Sequence, residues 1–301
     1  MTLPELRQLR YFLVLAEELS FTRAAARLMI AQQSLSQQIT ALERALGVRL
    51  FERDSRGTTL TDIGNLFVPE ARAVTDRAEE AVAVVGRALR GEVGALRLAF
   101  LNSVANHLLP PVVRVVRQQL PDLRLTTEST SIATLVDGVL VGRYDVAFTR
   151  HPLVTGLRSR TLATEPVCGV LPEGHPLAER AELELADLAD EPWVMTPRSS
   201  WEPWHRAYDD QFREAGFEPR VVAEEASVQS LLGLVAAGLG VTRLASSARS
   251  LRRTGVVFVP LTATYVRTVM VWLPSNTSPG LHRLLDLVTD LAATTDLTQT
   301  G

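Results

Sequence analysis

The chain has 301 residues, 46% of them hydrophobic and 22% charged. That is enough apolar sequence for two cored domains and too much for a disordered chain. It contains no run of about 18 apolar residues, and its opening, MTLPELRQLRYF, lacks the basic start and apolar centre of a signal peptide, so a cytoplasmic protein with no membrane partner is expected. The net charge of −3 is unevenly spread: residues 1–60 carry eight arginines against six acids, while the rest is acidic. A slightly basic N-terminal unit on an acidic body is useful for nucleic acid when two copies pool their charge. Lysine is absent throughout, so arginine usage is a compositional habit and a single arginine carries less functional weight than usual. The lone cysteine, Cys168, excludes an intramolecular disulfide; in the apolar run PVCGVL it reads as a small buried residue, with a nucleophile as the alternative.

In chain order, Leu6, Leu9, Phe12, Leu13, Val14 and Ala16 mark a first amphipathic helix. Residues 20–46 read as two short helices meeting at a tight turn, with Ser20 as an N-cap and Ala24, Ala25 and Leu28 on one face, the alanines small enough for a close helix approach. In the second of these helices Leu35, Ile39, Leu42 and Leu46 form a buried stripe and leave Gln33, Ser34, Ser36, Gln37, Thr40 and Arg44 outside it. That outer face is rich in hydroxyls and amides and nearly free of acids, which suits a helix lying in a DNA major groove; the alternative is an ordinary polar face of a helical hairpin. Gly47 signals a helix end. VRLFERDSRGTTLT then alternates as a β-hairpin, with Arg53 and Arg56 near its tip, where a wing meets phosphates or a minor groove or is simply a charged loop.

The run LRQLRYFLVLAEELSFTRAAARL, continued by SLSQQITALERALGVRLFERDSRGTTLTDIG, resembles the winged helix-turn-helix of the LysR-type transcriptional regulators, combining FxxLAE, SFTRAA, LSxQIxxLExxLGVxLFER and LTxxG in order. The resemblance implies operator DNA contacts from Thr22, Gln32, Gln33, Ser34, Ser36, Gln37, Thr40, Arg53 and Arg56. Members often carry Ser or Thr at Ala31, Pro at Gln33, Arg at Gln37 and Ala at Ile63, so the operator preference is expected to differ while the binding mode is kept.

Residues 61–90 form a helix pattern in which Val74, Ala78, Ala81, Val85 and Ala88 are spaced 4-3-4-3, a coiled-coil seam or a face packed on its own domain. Pro69 is expected to kink this helix slightly. The resemblance makes it the linker helix through which copies pair, as a dimer or tetramer. From residue 95, strand and helix patterns alternate in the βαβ rhythm of a parallel sheet. Strand patterns fall at ALRLAFL, LRLTTES, YDVAFT, EPVCGVL, PWVMT, VVAEEA and GLGVTRL, and helices at 104–119, 132–141, 203–215, 228–237 and 281–293. EPVCGVLPEGHPLA and SLLGLVAAGLGV resemble the family's two-lobed effector domain, which is like a periplasmic solute-binding protein. The expected division is α/β overall: a DNA-binding unit at 1–60, a linker helix at 61–91 and an effector domain at 92–301, with lobe I at about 94–163 plus 268–301 and lobe II at about 164–267.

Ligands of open α/β folds sit off the carboxyl ends of strands near helix N-termini. Candidates there are Asn102 and Ser103, Thr130 with Ser131, and Arg198 with Ser199 and Ser200, each hydroxyl being otherwise a plain cap. Arg150, after DVAFT, is the candidate to pair a carboxylate, or a surface ion pair, and resembles members that sense acids from aromatic degradation. Trp201 and Trp204 either wall the cleft or fill the core, and the direction of Arg243, where members are apolar, is left open. The histidines at 107, 151, 175, 205 and 282 show no ligand spacing, and no GxSxG, GxGxxG, P-loop or CxxC occurs, so no metal, cofactor or catalysis is expected. The expected function is operator binding modulated by a small organic acid. The alternatives are a regulator active without an effector and a stand-alone solute-binding protein, which would need export and have no use for the first 90 residues.

Overall fold

The computed structural model describes residues 2–54, 57–151 and 155–298. The chain separates into two compact units, Met1–Gly86 and Arg87–Gly301. The first therefore takes in nearly all of the helix expected as a separate linker.

In the first unit, helices α1 (Leu6–Glu18), α2 (Phe21–Arg27) and α3 (Gln32–Leu46) are followed by strands β1 (Phe51–Asp54) and β2 (Gly57–Leu60), paired antiparallel, and helix α4 (Asp62–Leu89). Ser20 Oγ accepts from the Arg23 N–H and caps α2, an interaction worth about 1 kcal/mol. Gly47 ends α3 in the left-handed region at φ 74°. Phe12, Leu15, Leu35, Ile39, Leu42 and Leu50 are fully buried, and the Phe12 ring lies 5.4 Å from Phe51 and 5.2 Å from Phe67, so α1, α3, the hairpin and α4 share one core. Glu43 accepts from the N–H groups of Leu50 (2.8 Å) and Phe51 (3.1 Å), which fixes the hairpin to α3. The glycine of LTDIG has a steric reason: a Cβ on Gly64 would sit 2.2 Å from the Leu50 carbonyl oxygen. Pro69 lies within the continuous helix α4.

The second unit contains β3 (Gly94–Leu101), α5 (Asn102–Gln119), β4 (Leu123–Thr130), α6 (Ile132–Leu140), β5 (Val146–Arg150), β6 (Arg158–Pro172), β7 (Pro192–Met195), α7 (Glu202–Glu214), β8 (Arg220–Glu224), α8 (Val228–Ala236), β9 (Thr242–Ala245), β10 (Val256–Trp272) and α9 (Pro279–Thr294). Six strands run in the order β4-β3-β5-β10-β6-β9, and β7 and β8 pair separately. The expectation of a parallel sheet holds only in part. β3 is parallel to β4 and β5, and β7 to β8, but β10 runs antiparallel to β5 and β6, and β6 antiparallel to β9. The sheet is mixed because β6 and β10 are long strands that cross between the lobes as an antiparallel pair. Their register breaks between Pro260 and Tyr265, where Ala263 takes φ 52°.

Lobe I packs α5, α6 and α9 on β3–β5 around Phe100 and Phe148, stacked at 4.6 Å. Lobe II centres on Trp193, whose ring meets Phe212 edge-on at 5.0 Å and whose Nε1 donates to the Leu188 carbonyl at 3.2 Å. Gly240, in the GLGV turn, lets Val241 N–H bond the Pro192 carbonyl at 2.7 Å; a Cβ there would lie 2.3 Å from that same oxygen.

Candidate functional site

In the first unit, the stripe of Leu35, Ile39 and Leu42 turns α3 so that Gln32, Gln33, Ser34, Gln37, Thr40 and Arg44 are exposed. The α3 N-terminus follows Ala31, which gives no side-chain cap, so its first N–H groups stay open to an anion. Thr22 Oγ1 donates to Gln32 Oε1 at 3.2 Å, joining the two helices at the turn, and Thr40 Oγ1 bonds back to the Ser36 carbonyl at 2.9 Å. Ser36 is half-buried and accepts from Arg53 Nη1 at 3.1 Å, while the Arg53 guanidinium stacks 4.1 Å over the Phe21 ring. Arg53 is thus held by the α2–α3 surface, and Ser36 positions it. Arg56 lies outside the described residues.

Along α4, Ala71 and Thr75 are buried against the first unit's core. The neighbouring apolar positions are largely exposed among the described residues: Val74 is 52% exposed, Val82 73%, Val85 60% and Leu89 72%, with Ala81 also exposed and Ala78 half-buried. The expected seam residues lie along one face of the helix that is mostly open in the single chain, flanked by charges such as Arg77 and Glu80.

In the second unit a cavity of about 390 Å³ lies between the lobes, within the roughly 300–1,000 Å³ range of small-molecule sites. Lobe I contributes Ser103, in the first turn of α5, and Arg150, at the end of β5; lobe II contributes Met195, Trp204, Tyr208, Gln211, Leu231 and Arg243. Of the expected effector residues, only Ser103 and Arg150 line it. Asn102 is exposed, and α5 begins there rather than at 104. Thr130 ends β4 and, like Asn102, is absent from the wall. Arg198 is bound to Asp209 at 2.6 Å on the surface, beside exposed Ser199. Strand-end hydroxyls are chosen by capping as readily as by ligands, and here Ser131 caps α6. Trp201 and Trp204 both pack against the lobe I core, and Trp204 also lines the cavity.

Arg150 is not a surface residue. It is 7% exposed; its Nη2 lies 3.1 Å from Glu165 Oε1 and 3.0 Å from Ser247 Oγ. Glu165 also accepts from Ser247 N–H at 2.6 Å and from the hydroxyls of Ser246 and Ser247, both at 3.1 Å. Burial pulls the Arg150 pKa down, opposed by Glu165. His107, 2% exposed on α5, is pushed down to about 4 by burial and by the nearby Arg150 charge, with Glu165 opposing. Arg243, also 7% exposed, is stacked 4.7 Å from the Tyr208 ring centroid; burial lowers its pKa and only Tyr208 acts against this. Sequence reasoning missed Glu165 and Tyr208; the visible signal for Glu165 was a single acid opening the apolar run PVCGVL of its strand. Among the described residues no group of His, Cys, Asp and Glu is placed to hold a metal, and no helix is long and apolar enough to cross a membrane.

Residues 6–65 match the bacterial regulatory helix-turn-helix protein, lysR family, and residues 89–293 the LysR substrate binding domain. The transcriptional regulator AlsR of Bacillus subtilis is 34% identical over 84% of this chain and 84% of its own length. BenM of Acinetobacter baylyi is 34% identical over 85% of each. Among solved structures, CbnR, a LysR family transcriptional regulator, superposes with a TM-score of 0.81 at 28% identity over 94% of this chain and 99% of that one; full-length CbnR complexed with its target DNA gives 0.78 at 27%, over 96% and 99%. The chain belongs to the LysR-type transcriptional regulators, DNA-binding proteins with an effector-binding domain and not enzymes.

Proposed function

We propose that this regulator binds a two-fold related operator as a homo-oligomer in the cytoplasm and that a small organic acid held between the lobes changes that binding. The exposed polar face of α3 enters the major groove: Gln33 and Gln37 read base edges, Ser34 and Thr40 meet base or phosphate, and Thr22, Gln32, Ser36, Arg53 and Arg56 orient or grip the backbone. Copies pair through Val74, Ala78, Ala81 and Val85 of α4, which bury a stripe too apolar to be left in water. The observation that carries the effector reading is the 390 Å³ interlobe cavity, apolar over much of its wall and lined by the guanidinium groups of Arg150, which is paired with Glu165, and Arg243. An anion bridging the lobes binds the closed arrangement better than the open one, which is what an allosteric ligand requires.

The test is a thermal-shift screen of small organic acids on the full chain. Hits are then taken to gel-shift measurements on a DNA fragment selected for binding. A ligand of the folded state raises Tm by mass action, and an effector also changes DNA affinity or bending. A screen in which no acid does either would favour a regulator that acts without a small-molecule effector.

A further inference from the structure

The charges around the interlobe cavity do not balance. Arg150 has its counter-charge in Glu165, but the guanidinium of Arg243, equally buried, forms no ion pair and no hydrogen bond among the described residues, and its Nη1 is without a partner there. Its surroundings are the Tyr208 ring at 4.7 Å and the Phe212 ring at 5.8 Å. Aromatic faces offset only part of the cost of burying a cation. Trp204 Nε1 and Gln211 Oε1, also in the cavity wall, are buried and unpaired among the described residues, as are Nε and Nη1 of Arg150, whose charge is nevertheless met by Glu165. Arg267 also lines the cavity but is exposed to solvent. Deep in lobe II the site therefore holds one uncompensated positive charge among Met195, Leu231 and aromatic rings. The matching ligand is a single negative charge on an apolar body; a dianion would leave charge unmatched in that wall.

We propose that Arg243, in lobe II, is the residue that selects the effector's charge, and that the effector is an amphipathic monocarboxylate whose carboxylate pairs with the Arg243 guanidinium while its hydrocarbon part lies against Tyr208, Trp204, Met195 and Leu231. This rests on the interlobe cavity being the effector site. It moves the charge-pairing role from Arg150 to Arg243. The planar guanidinium fork matches a carboxylate with two parallel hydrogen bonds, and Arg150 becomes the group that keeps the neighbouring strands in place. The free protein carries Arg243 at a cost to its own stability, which the bound anion relieves.

The experiment uses full-length wild type, Arg243→Met and Arg243→Lys, titrated by thermal shift and calorimetry with benzoate and hexanoate, each beside its neutral carboxamide, and with inorganic phosphate. Wild type should respond to at least one carboxylate and not to the amide. Arg243→Met should lose about ten- to hundred-fold in carboxylate affinity, with a ligand-free Tm at or above that of wild type, because an unpaired buried charge has been removed. Arg243→Lys should keep a weaker response. Three results would overturn the assignment while leaving the cavity as an effector site: equal carboxylate affinity in Arg243→Met, a ligand-free Tm far below wild type in that variant, or phosphate acting at lower concentration than any carboxylate. If neither carboxylate shifts wild type and neither alters its DNA binding, this assignment falls; the effector reading falls with it only when the wider screen of small organic acids is negative as well.

Discussion

Arg150 and Glu165 meet at 3.1 Å across the intervening strand β10, one at the end of β5 and the other midway along β6. Both are nearly inaccessible, and Glu165 takes three further donors from Ser246 and Ser247. The pair thus ties the lobe I sheet to the turn after β9. Removing one member of such a pair leaves the other charged and buried, which typically costs 3–5 kcal/mol. We expect Arg150→Met to lose about that much stability in urea denaturation, in the transition belonging to the effector domain. A midpoint no lower than that of a surface control such as Arg206→Met would show that the pair is not what holds this region.

On the DNA side, Gln37→Ala should weaken binding to a selected operator fragment by about 1–3 kcal/mol while leaving binding to random DNA nearly unchanged. Ser36→Ala acts differently, because Ser36 Oγ holds Arg53 Nη1: freeing that arginine should weaken both kinds of binding and alter the salt slope. Fluorescence anisotropy at several salt concentrations separates the two. Equal operator affinity in wild type and Gln37→Ala would remove that residue from the base-reading face.

The N-terminal unit was legible because its contacts are local. The Leu35-Ile39-Leu42 stripe, the Ser20 cap and the Gly47 terminator each act within a few residues, so spacing alone orders them. The effector domain was legible as elements but only partly as topology. The run VVFVPLTATYVRTVMVW has strand composition, yet no spacing reveals that it crosses both lobes against β6 or that it inverts part of the expected parallel sheet. Site residues suffered most. The partner of Arg150 sits across another strand, and the burial of Arg243 depends on Tyr208 in α7, so neither environment has a local signature. Thr130 and Arg198 satisfy the strand-end rule without reaching the cavity, since that rule describes helix starts in general.

The α4 stripe yields a prediction about assembly. Ala81 lies among Val74, Ala78 and Val85 on a face left open in the single chain, so a charge there is harmless in a monomer and unpaired in a close helix seam. Ala81→Glu should shift sedimentation at micromolar concentration toward the monomer, with Tm little changed. An unchanged mass would place the pairing surface elsewhere.

The last prediction concerns pH. His107 is buried on α5 close to the Arg150–Glu165 pair, its Nδ1 has no partner among the described residues, and its pKa falls from 6.5 to about 4 in the folded chain. The sign follows from proton binding: below pH 6.5 the unfolded chain takes up a proton that the native protein refuses until about pH 4. Stability contributed by the neutral imidazole is therefore complete above pH 6.5, declines as pH falls toward 4, and levels off below. His205 and His151, also lowered by burial, act in the same direction. One such group contributes at most about 1.4 kcal/mol per pH unit. Replacing His107 by Leu removes its share, so urea midpoints measured at pH 7, 6 and 5 should fall less steeply in His107→Leu than in wild type. Parallel profiles for the two proteins would mean that His107 gains its proton in the folded state as easily as in the unfolded one, and that the buried charges around it are arranged differently.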